Sequence, residues 1–323
     1  MGARAMVAPT ARGRALDLSD DAFGWLRPSD AIVGDADALR ERLEEDGYLF
    51  LPGLLDREAV RAGRMELLRR VQTYGALHPE HPPEDGILRP DADGTGLAQD
   101  DPMWSATLTS VLQGGAVMDF FADLLDGEAR SYDFIWLRSQ GPGDGVEPHC
   151  DIVFMGRGTP DVLTAWTPFG DIPLGGGGLM VLEGSHRESV VRLADYLRQD
   201  VDSYCDNGPN ADAVRTGDMH WEHWQGPVPG KDWGGEIAED AIALRAEWGG
   251  RWLTAPQFRM GDVLLFTMRT VHAGTDNATR ALRLSTDSRY QLADAPVDER
   301  WVRGHHGAAP IGHGLDAKVG RIC

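Results

Sequence analysis

From about residue 131 to 292 the chain is written in short apolar runs: YDFIWLRSQ, PHCDIVFMG, LTAWTPFG, GLMVLEGS, DVLLFTMRTVHAG and RALRLSTDSRYQL. Runs of this length, divided by glycine-rich turns, predict a sandwich or barrel of short strands better than repeated βαβ units. The preceding part has a different period. DADALRERLEEDG reads as an amphipathic helix with Leu39 and Leu43 four apart and Gly47 at its end; YLFLPG reads as a strand stopped by Pro52 and Gly53. Asp56 is placed to cap a second helix, with Val60, Met65, Leu67 and Leu68 as its buried stripe, and GAVMDFFADLL predicts another. Helices of this kind pack on the outside of the β core. The expected fold is therefore mainly β with flanking helices, in one domain over residues 21–323. Its helical part covers 21–130 and its β core about 131–292, and residues 1–20 form a loose arm.

Two long stretches interrupt this plan. Residues 76–102 are rich in proline, glycine and aspartate and predict a loop that either covers part of the fold or moves. Residues 188–257 form an insertion in the β core, with a helix expected in RLADYLRQDVDSYCDNG. It holds five of the ten tryptophans: Trp221, Trp224, Trp233, Trp248 and Trp252. Such aromatics build either a substrate wall, for which Trp221 and Trp224 are the candidates, or the insertion's own small core.

Composition narrows the functional classes. The formal charge, 31 minus 51 or -20, repels polyanions and argues against nucleic acid as a partner. The N-terminus lacks a secretory apolar core and no later run approaches the ~18 apolar residues of a membrane span, so the expectation is a cytoplasmic protein with no membrane association. Three widely spaced cysteines, Cys150, Cys205 and Cys323, predict neither a disulfide framework nor a zinc knuckle. A small-molecule substrate is the expected partner, and nothing in the sequence demands an obligate protein partner.

The chemistry concentrates at EPHCDIVF. Read as a strand, this segment points His149 and Asp151 to one face and Cys150, Ile152 and Phe154 to the other. The well-placed third ligand downstream is His272. Two imidazoles and one carboxylate form a facial triad that leaves three cis positions open on an iron ion, whereas a closed structural zinc site takes four ligands and usually uses cysteine. His-x-Asp alone recurs by chance in many chains. Arg283 adds weight: it lies eleven residues after His272 on the next expected strand, where a returning hairpin would bring it near the metal. A guanidinium there grips a carboxylate through two parallel hydrogen bonds. The cosubstrate 2-oxoglutarate needs a metal with two free cis positions at one end and a cation at the other. The plainer alternative pairs Arg283 with Asp287 and leaves His272 as packing.

Over roughly residues 37–292 the chain resembles the phytanoyl-CoA dioxygenase family of Fe(II)- and 2-oxoglutarate-dependent oxygenases. The likeness lies in DGYLFLPGLLDREAV, PHCDI, AWTPFGDIPLGGGGLMVLEGSHR and GDVLLFTMRTVHAGTDNATRALRLSTDSRY. The resemblance implies a double-stranded β-helix, the jelly-roll or cupin-like core. It implies His149, Asp151 and His272 as ligands of Fe(II), Arg283 as the clamp on 2-oxoglutarate with Ser285 assisting, and O2 as the second cosubstrate. Ser185 and His186 match the family's Gly-Ser-His turn, read here as a fold element. The sequence departs from the family pattern in the four glycines Gly175–Gly178 and in Glu183, where proline is usual.

Arg138 and Gln140 share a face of their strand and are candidates to contact 2-oxoglutarate or an anionic substrate, while Trp136 and Trp166 are candidate apolar walls of the pocket. His220, His223, His305, His306 and His313 have no spacing that requires a second metal. The carboxylate at Asp151 argues against halogenation, where that position is emptied for halide. It points to hydroxylation of an unactivated C–H bond in a small metabolite, such as a natural-product intermediate or amino-acid derivative, with release of succinate and CO2. Desaturation or ring closure is the related outcome. The competing classes are a cupin-like isomerase or small-molecule-binding protein without 2-oxoglutarate dependence, and an interaction protein using the tryptophan-rich insertion.

Overall fold

The computed structural model describes residues 8–92, 94, 105–201 and 235–303, with the backbone of 315–316 and 320–321. The N-terminal part opens with a small hairpin, β1 (Thr10–Ala11) and β2 (Arg14–Ala15), followed by β3 (Phe23–Trp25), α1 (Ala36–Asp46), β4 (Tyr48–Leu51) and α2 (Arg57–Thr73). Asp35 and Asp56 accept from the backbone N–H groups of Ala38 and Ala59 to cap the two helices. Gly47 ends α1 with φ of 75°, a conformation glycine takes without a Cβ penalty. Then come α3 (Ala106–Gln113), α4 (Gly115–Leu125), β5 (Ala129–Ser131) and β6 (Trp136–Gln140).

The core proper runs through α5 (Ile152–Met155), β7 (Leu163–Pro168), β8 (Ile172–Pro173), β9 (Leu179–Leu182), α6 (Ser185–Arg192), α7 (Ala241–Trp248), β10 (Trp252–Thr254), β11 (Gln257–Phe258), β12 (Val263–Thr267), β13 (His272–Gly274) and β14 (Arg283–Leu292). Apart from β8 and β11, which pair in a small third sheet, the core strands fall into two sheets. The larger has the order β4-β12-β7-β14-β5, with β6 also on β14; the smaller has the order β13-β9-β10-β3. His149 joins the smaller sheet through a single bridge to His272. Two main sheets with helices outside are the mainly β fold that the sequence led us to expect.

The period-two pattern of each strand sorts its side chains between two environments. On β4, Leu49 and Leu51 meet the helices while Tyr48 and Phe50 face the interior between the sheets; on β12, Val263 and Leu265 face out while Leu264 and Phe266 face in. On β7, Leu163 and Ala165 lie with the helices and Trp166 with the interior cluster. Both faces are covered, so these strands read as unbroken apolar runs.

Several expectations are corrected. Residues 147–154 are not a strand: after the bridge at His149 the chain turns helical at Asp151 (φ -66°, ψ -23°) and enters α5. Phe154 consequently lies edge-on to His149, 5.7 Å between ring centroids, instead of facing away. Arg283 does not return from His272 in a hairpin, because β13 and β14 belong to different sheets. The described part of the N-terminal arm is docked, not loose: Asp276 accepts from the N–H groups of Arg12 and Gly13, and Arg12 pairs with Glu147 at 2.8 Å. The insertion begins with α6 at Ser185, while its expected helix is reduced to a single turn at Tyr196–Arg198 among the described residues.

One run, Ala106–Leu125, is long and apolar enough to cross a membrane by length and composition. Extended backbone at Gly114 (φ -71°, ψ 162°) divides it into α3 and α4, whose Leu108, Val111, Leu112, Phe121 and Leu124 pack in the helix-covered core. It is two short core helices and not one rod.

Candidate metal centre

His149, Asp151 and His272 converge: one ligand atom from each lies within 4.8 Å of the other two. Asp151 Oδ1 is 3.9 Å from His149 Nε2 and 3.8 Å from His272 Nε2. Two elements produce this. The backbones of His149 and His272 exchange hydrogen bonds of 3.0 and 3.1 Å, which fixes the rings side by side at 4.2 Å between centroids. The turn into α5 then swings the Asp151 carboxylate back toward them.

Each ring is held by its other nitrogen. His149 Nδ1 lies 2.7 Å from the Glu147 carbonyl and His272 Nδ1 lies 3.1 Å from the Thr270 carbonyl. A carbonyl only accepts, so both Nδ1 atoms carry the proton and both Nε2 atoms present a lone pair. Burial, followed by the neighbouring His272, pushes the His149 imidazole down to about 4, although Asp151 opposes this. For Asp151 burial alone would raise the carboxyl. Arg289, His272, His149 and the Thr164 hydroxyl together outweigh it and hold the group well below the usual carboxylate range. Two imidazole nitrogens and one carboxylate oxygen fit a divalent ion whose ligands sit at about 2 Å.

Arg283 and Ser285 lie on β14 opposite Gln140 and the exposed Arg138 of β6. Arg283, 9% exposed, donates from Nη1 to Ser285 Oγ at 2.7 Å and from Nε and Nη2 to Gln140 Oε1 at 3.2 and 2.5 Å. Gln140 is itself fixed, its Nε2 donating to the carbonyls of Asp144 and Thr275. Burial, with Arg138 nearby, pushes the Arg283 guanidinium down to about 10, so it remains charged at neutral pH. Asp287 pairs with Arg138 at 3.0 Å and not with Arg283.

Trp166 is buried in the interior cluster, edge-on to Phe258 with centroids 4.8 Å apart. Trp136 lies under the guanidinium of Arg289, 4.5 Å from ring centroid to Cζ. Ser185 donates no side-chain bond toward the centre; its Oγ accepts from the Val271 N–H, tying α6 to the segment before His272. Trp221, Trp224, Trp233, His220, His223 and the C-terminal histidines lie outside the described residues.

Sequence reading missed Arg289 and Thr164. Both bind Asp151 Oδ2, at 3.0 and 2.5 Å. The available signal was the period of two: Arg289 shares its strand face with Arg283 and Ser285, and Thr164 shares its face with Trp166.

A family model described as Phytanoyl-CoA dioxygenase (PhyH) matches residues 43–285. The chain belongs to the phytanoyl-CoA dioxygenase family. A curated relative, 1-deoxypentalenic acid 11-beta-hydroxylase of Streptomyces arenae, is 22% identical over 287 residues, covering 85% of this chain and 88% of its own. Among solved structures, the epimerase SnoN in complex with Fe3+, alpha ketoglutarate and nogalamycin RO matches with a TM-score of 0.51 at 21% identity, over 89% of this chain and 98% of its own. EctD from S. alaskensis with 2-oxoglutarate and 5-hydroxyectoine also gives a TM-score of 0.51, at 17% identity over 98% of this chain and 93% of its own. This family member is an Fe(II)- and 2-oxoglutarate-dependent oxygenase with O2 as its second cosubstrate, and His149, Asp151 and His272 are the side chains placed to hold its iron.

Proposed function

We propose that this oxygenase hydroxylates an unactivated C–H bond of a small metabolite, a natural-product intermediate by class, with Arg283 holding the far carboxylate of 2-oxoglutarate. The observation that carries the reading is the buried Arg283 guanidinium, presented in one orientation by Gln140 and Ser285 on the β14 face that also reaches Asp151. When bound, iron with 2-oxoglutarate and O2 supplies the oxidant that replaces C–H by C–OH while succinate and CO2 are released.

The chain's own contribution is geometry and exclusion of water. His149 and His272 keep their lone pairs aimed because carbonyls occupy their Nδ1 protons. Ser285 and Gln140 take three N–H donations from Arg283, which turns the remaining N–H groups of that fork toward a bidentate carboxylate. Phe266, 4.4 Å from the His272 ring between centroids, and Trp166 with Phe258 make the wall apolar, which strengthens the charge pairing inside. The hydroxylating relative from Streptomyces arenae supports the reaction class.

The test is anaerobic addition of Fe(II) and then 2-oxoglutarate to metal-free protein, following the weak visible charge-transfer band. The band is expected with wild type, absent in His272→Ala and shifted to higher 2-oxoglutarate concentration in Arg283→Gln. Folded wild-type protein that gives no band would overturn the reading. A screen of small metabolites for stimulated succinate release then identifies the substrate.

A further inference from the structure

Asp151 has two oxygens, and the fold treats them differently. Oδ1 faces both Nε2 atoms of the triad. Oδ2 is turned away and accepts from two buried donors, Arg289 Nη2 at 3.0 Å and Thr164 Oγ1 at 2.5 Å. Arg289 is itself among the most deeply placed side chains, 2% exposed. Its guanidinium rests on the Trp136 ring, and its Nε points at Met155 Sδ, 3.2 Å away on α5, the helix that Asp151 begins. An aromatic face below, a thioether at Nε and a carboxylate at Nη2 leave the fork one orientation.

We infer that Arg289 is a positioning residue for the metal centre, one that makes Asp151 a one-oxygen ligand. A free carboxylate beside a divalent ion swings between one-oxygen and two-oxygen binding. The two-oxygen mode occupies a further coordination position. With three protein ligands in one-oxygen mode, three cis positions stay open: two for the keto-carboxylate end of 2-oxoglutarate and one for O2. With Asp151 bound through both oxygens only two would remain, enough for 2-oxoglutarate and none for O2. Arg289 and Thr164 block that swing by saturating Oδ2, as outer partners of metal ligands do. Arg283 and Arg289, three inward-facing positions apart on β14, thus divide the work: one holds the far end of the diacid and the other keeps the position for O2 free.

This inference rests on the reading that the triad holds the metal, and the experiment separates the two. Metal-free wild type, Arg289→Lys, Arg289→Met and Thr164→Val are titrated with Co(II), whose d–d absorption reports coordination number, and then anaerobically with Fe(II) and 2-oxoglutarate. Wild type that binds no Co(II) refutes the metal reading itself. With metal bound, Arg289→Met is expected to show an altered Co(II) spectrum and metal affinity weaker on the order of tenfold, while 2-oxoglutarate still binds because Arg283 is intact. Arg289→Lys, which keeps a charged donor, is expected to restore the spectrum in part. Folded Arg289→Met with the wild-type spectrum and the wild-type metal affinity would overturn the inference. Should that variant not fold, Thr164→Val decides: it removes one donor to Oδ2 and is expected to move the same two readouts less far, and no movement in either of them overturns the inference equally.

Discussion

Gly177 links the four-glycine departure from the family pattern to the cosubstrate clamp. Its φ is +83°, a region that carries a cost of about 1–2 kcal/mol for a residue with a Cβ. A methyl there would stand 2.8 Å from Gln140 Oε1 and 3.3 Å from Asn277 Cβ, so the Gln140 oxygen must move by several tenths of an ångström. Gln140 has little freedom to do so, since its Nε2 is bonded to the Asp144 and Thr275 carbonyls and its Oε1 takes two donations from Arg283. Displacing that oxygen removes hydrogen bonds to a charged group, each contributing about 1.5–3 kcal/mol. If roughly 1.4 kcal/mol of this reappears as misorientation of Arg283, the 2-oxoglutarate Kd rises about tenfold. Gly177→Ala is therefore expected to weaken 2-oxoglutarate in the anaerobic charge-transfer titration while metal affinity stays at the wild-type value, because no ligand is touched. A variant that loses stability yet binds 2-oxoglutarate as wild type does would refute the chain of contacts from Gly177 through Gln140 to Arg283.

Two further outcomes follow from the geometry. In metal-free protein the unfolded chain takes up a proton at His149 near 6.5 and the folded chain only near about 4, so stability present above pH 6.5 is lost as pH falls through that window. The loss approaches about 3 kcal/mol at its acid end. Urea midpoints between pH 7 and 4.5 should fall more steeply for wild type than for His149→Gln, and equal slopes would contradict the assignment. Asp56→Ala removes the acceptor for the Ala59 N–H, 2.7 Å away, and is expected to destabilise by about 1 kcal/mol, lowering Tm by about 2 °C with 2-oxoglutarate affinity unchanged.

Much of the architecture was legible because it is periodic. The strands at 48–51, 163–168, 179–182, 263–267 and 283–292, and the helices at 36–46 and 57–73, coincide with apolar runs or stripes and carry their own caps and glycine stops. Where the reading failed, a local pattern met a tertiary demand. HCDIVF has the composition of a strand, yet its only bridges among the described residues are those of His149 to His272 and Glu236, and beyond them Asp151 must turn to meet the two rings. The loose look of the arm at Thr10–Gly13 reflects its polarity; its partner, Asp276, lies 263 residues away from Gly13.

The linear order of residues by itself determined the chemistry on offer: two histidines, an acid and an arginine at spacings that a jelly roll brings to one end of its barrel. It determined too which strand faces are apolar, because alternation is a local property of an extended chain. Only the tertiary structure decided which oxygen of Asp151 meets the ion, which nitrogen of each ring is free, and that Gln140 and Ser285 aim Arg283 while Arg289 and Thr164 restrain Asp151. Those choices depend on groups from different strands, and from the turn into α5, arriving within about 3 Å of each other in a buried space, and hydrogen bonds of that length are set by packing in three dimensions rather than by separation along the chain.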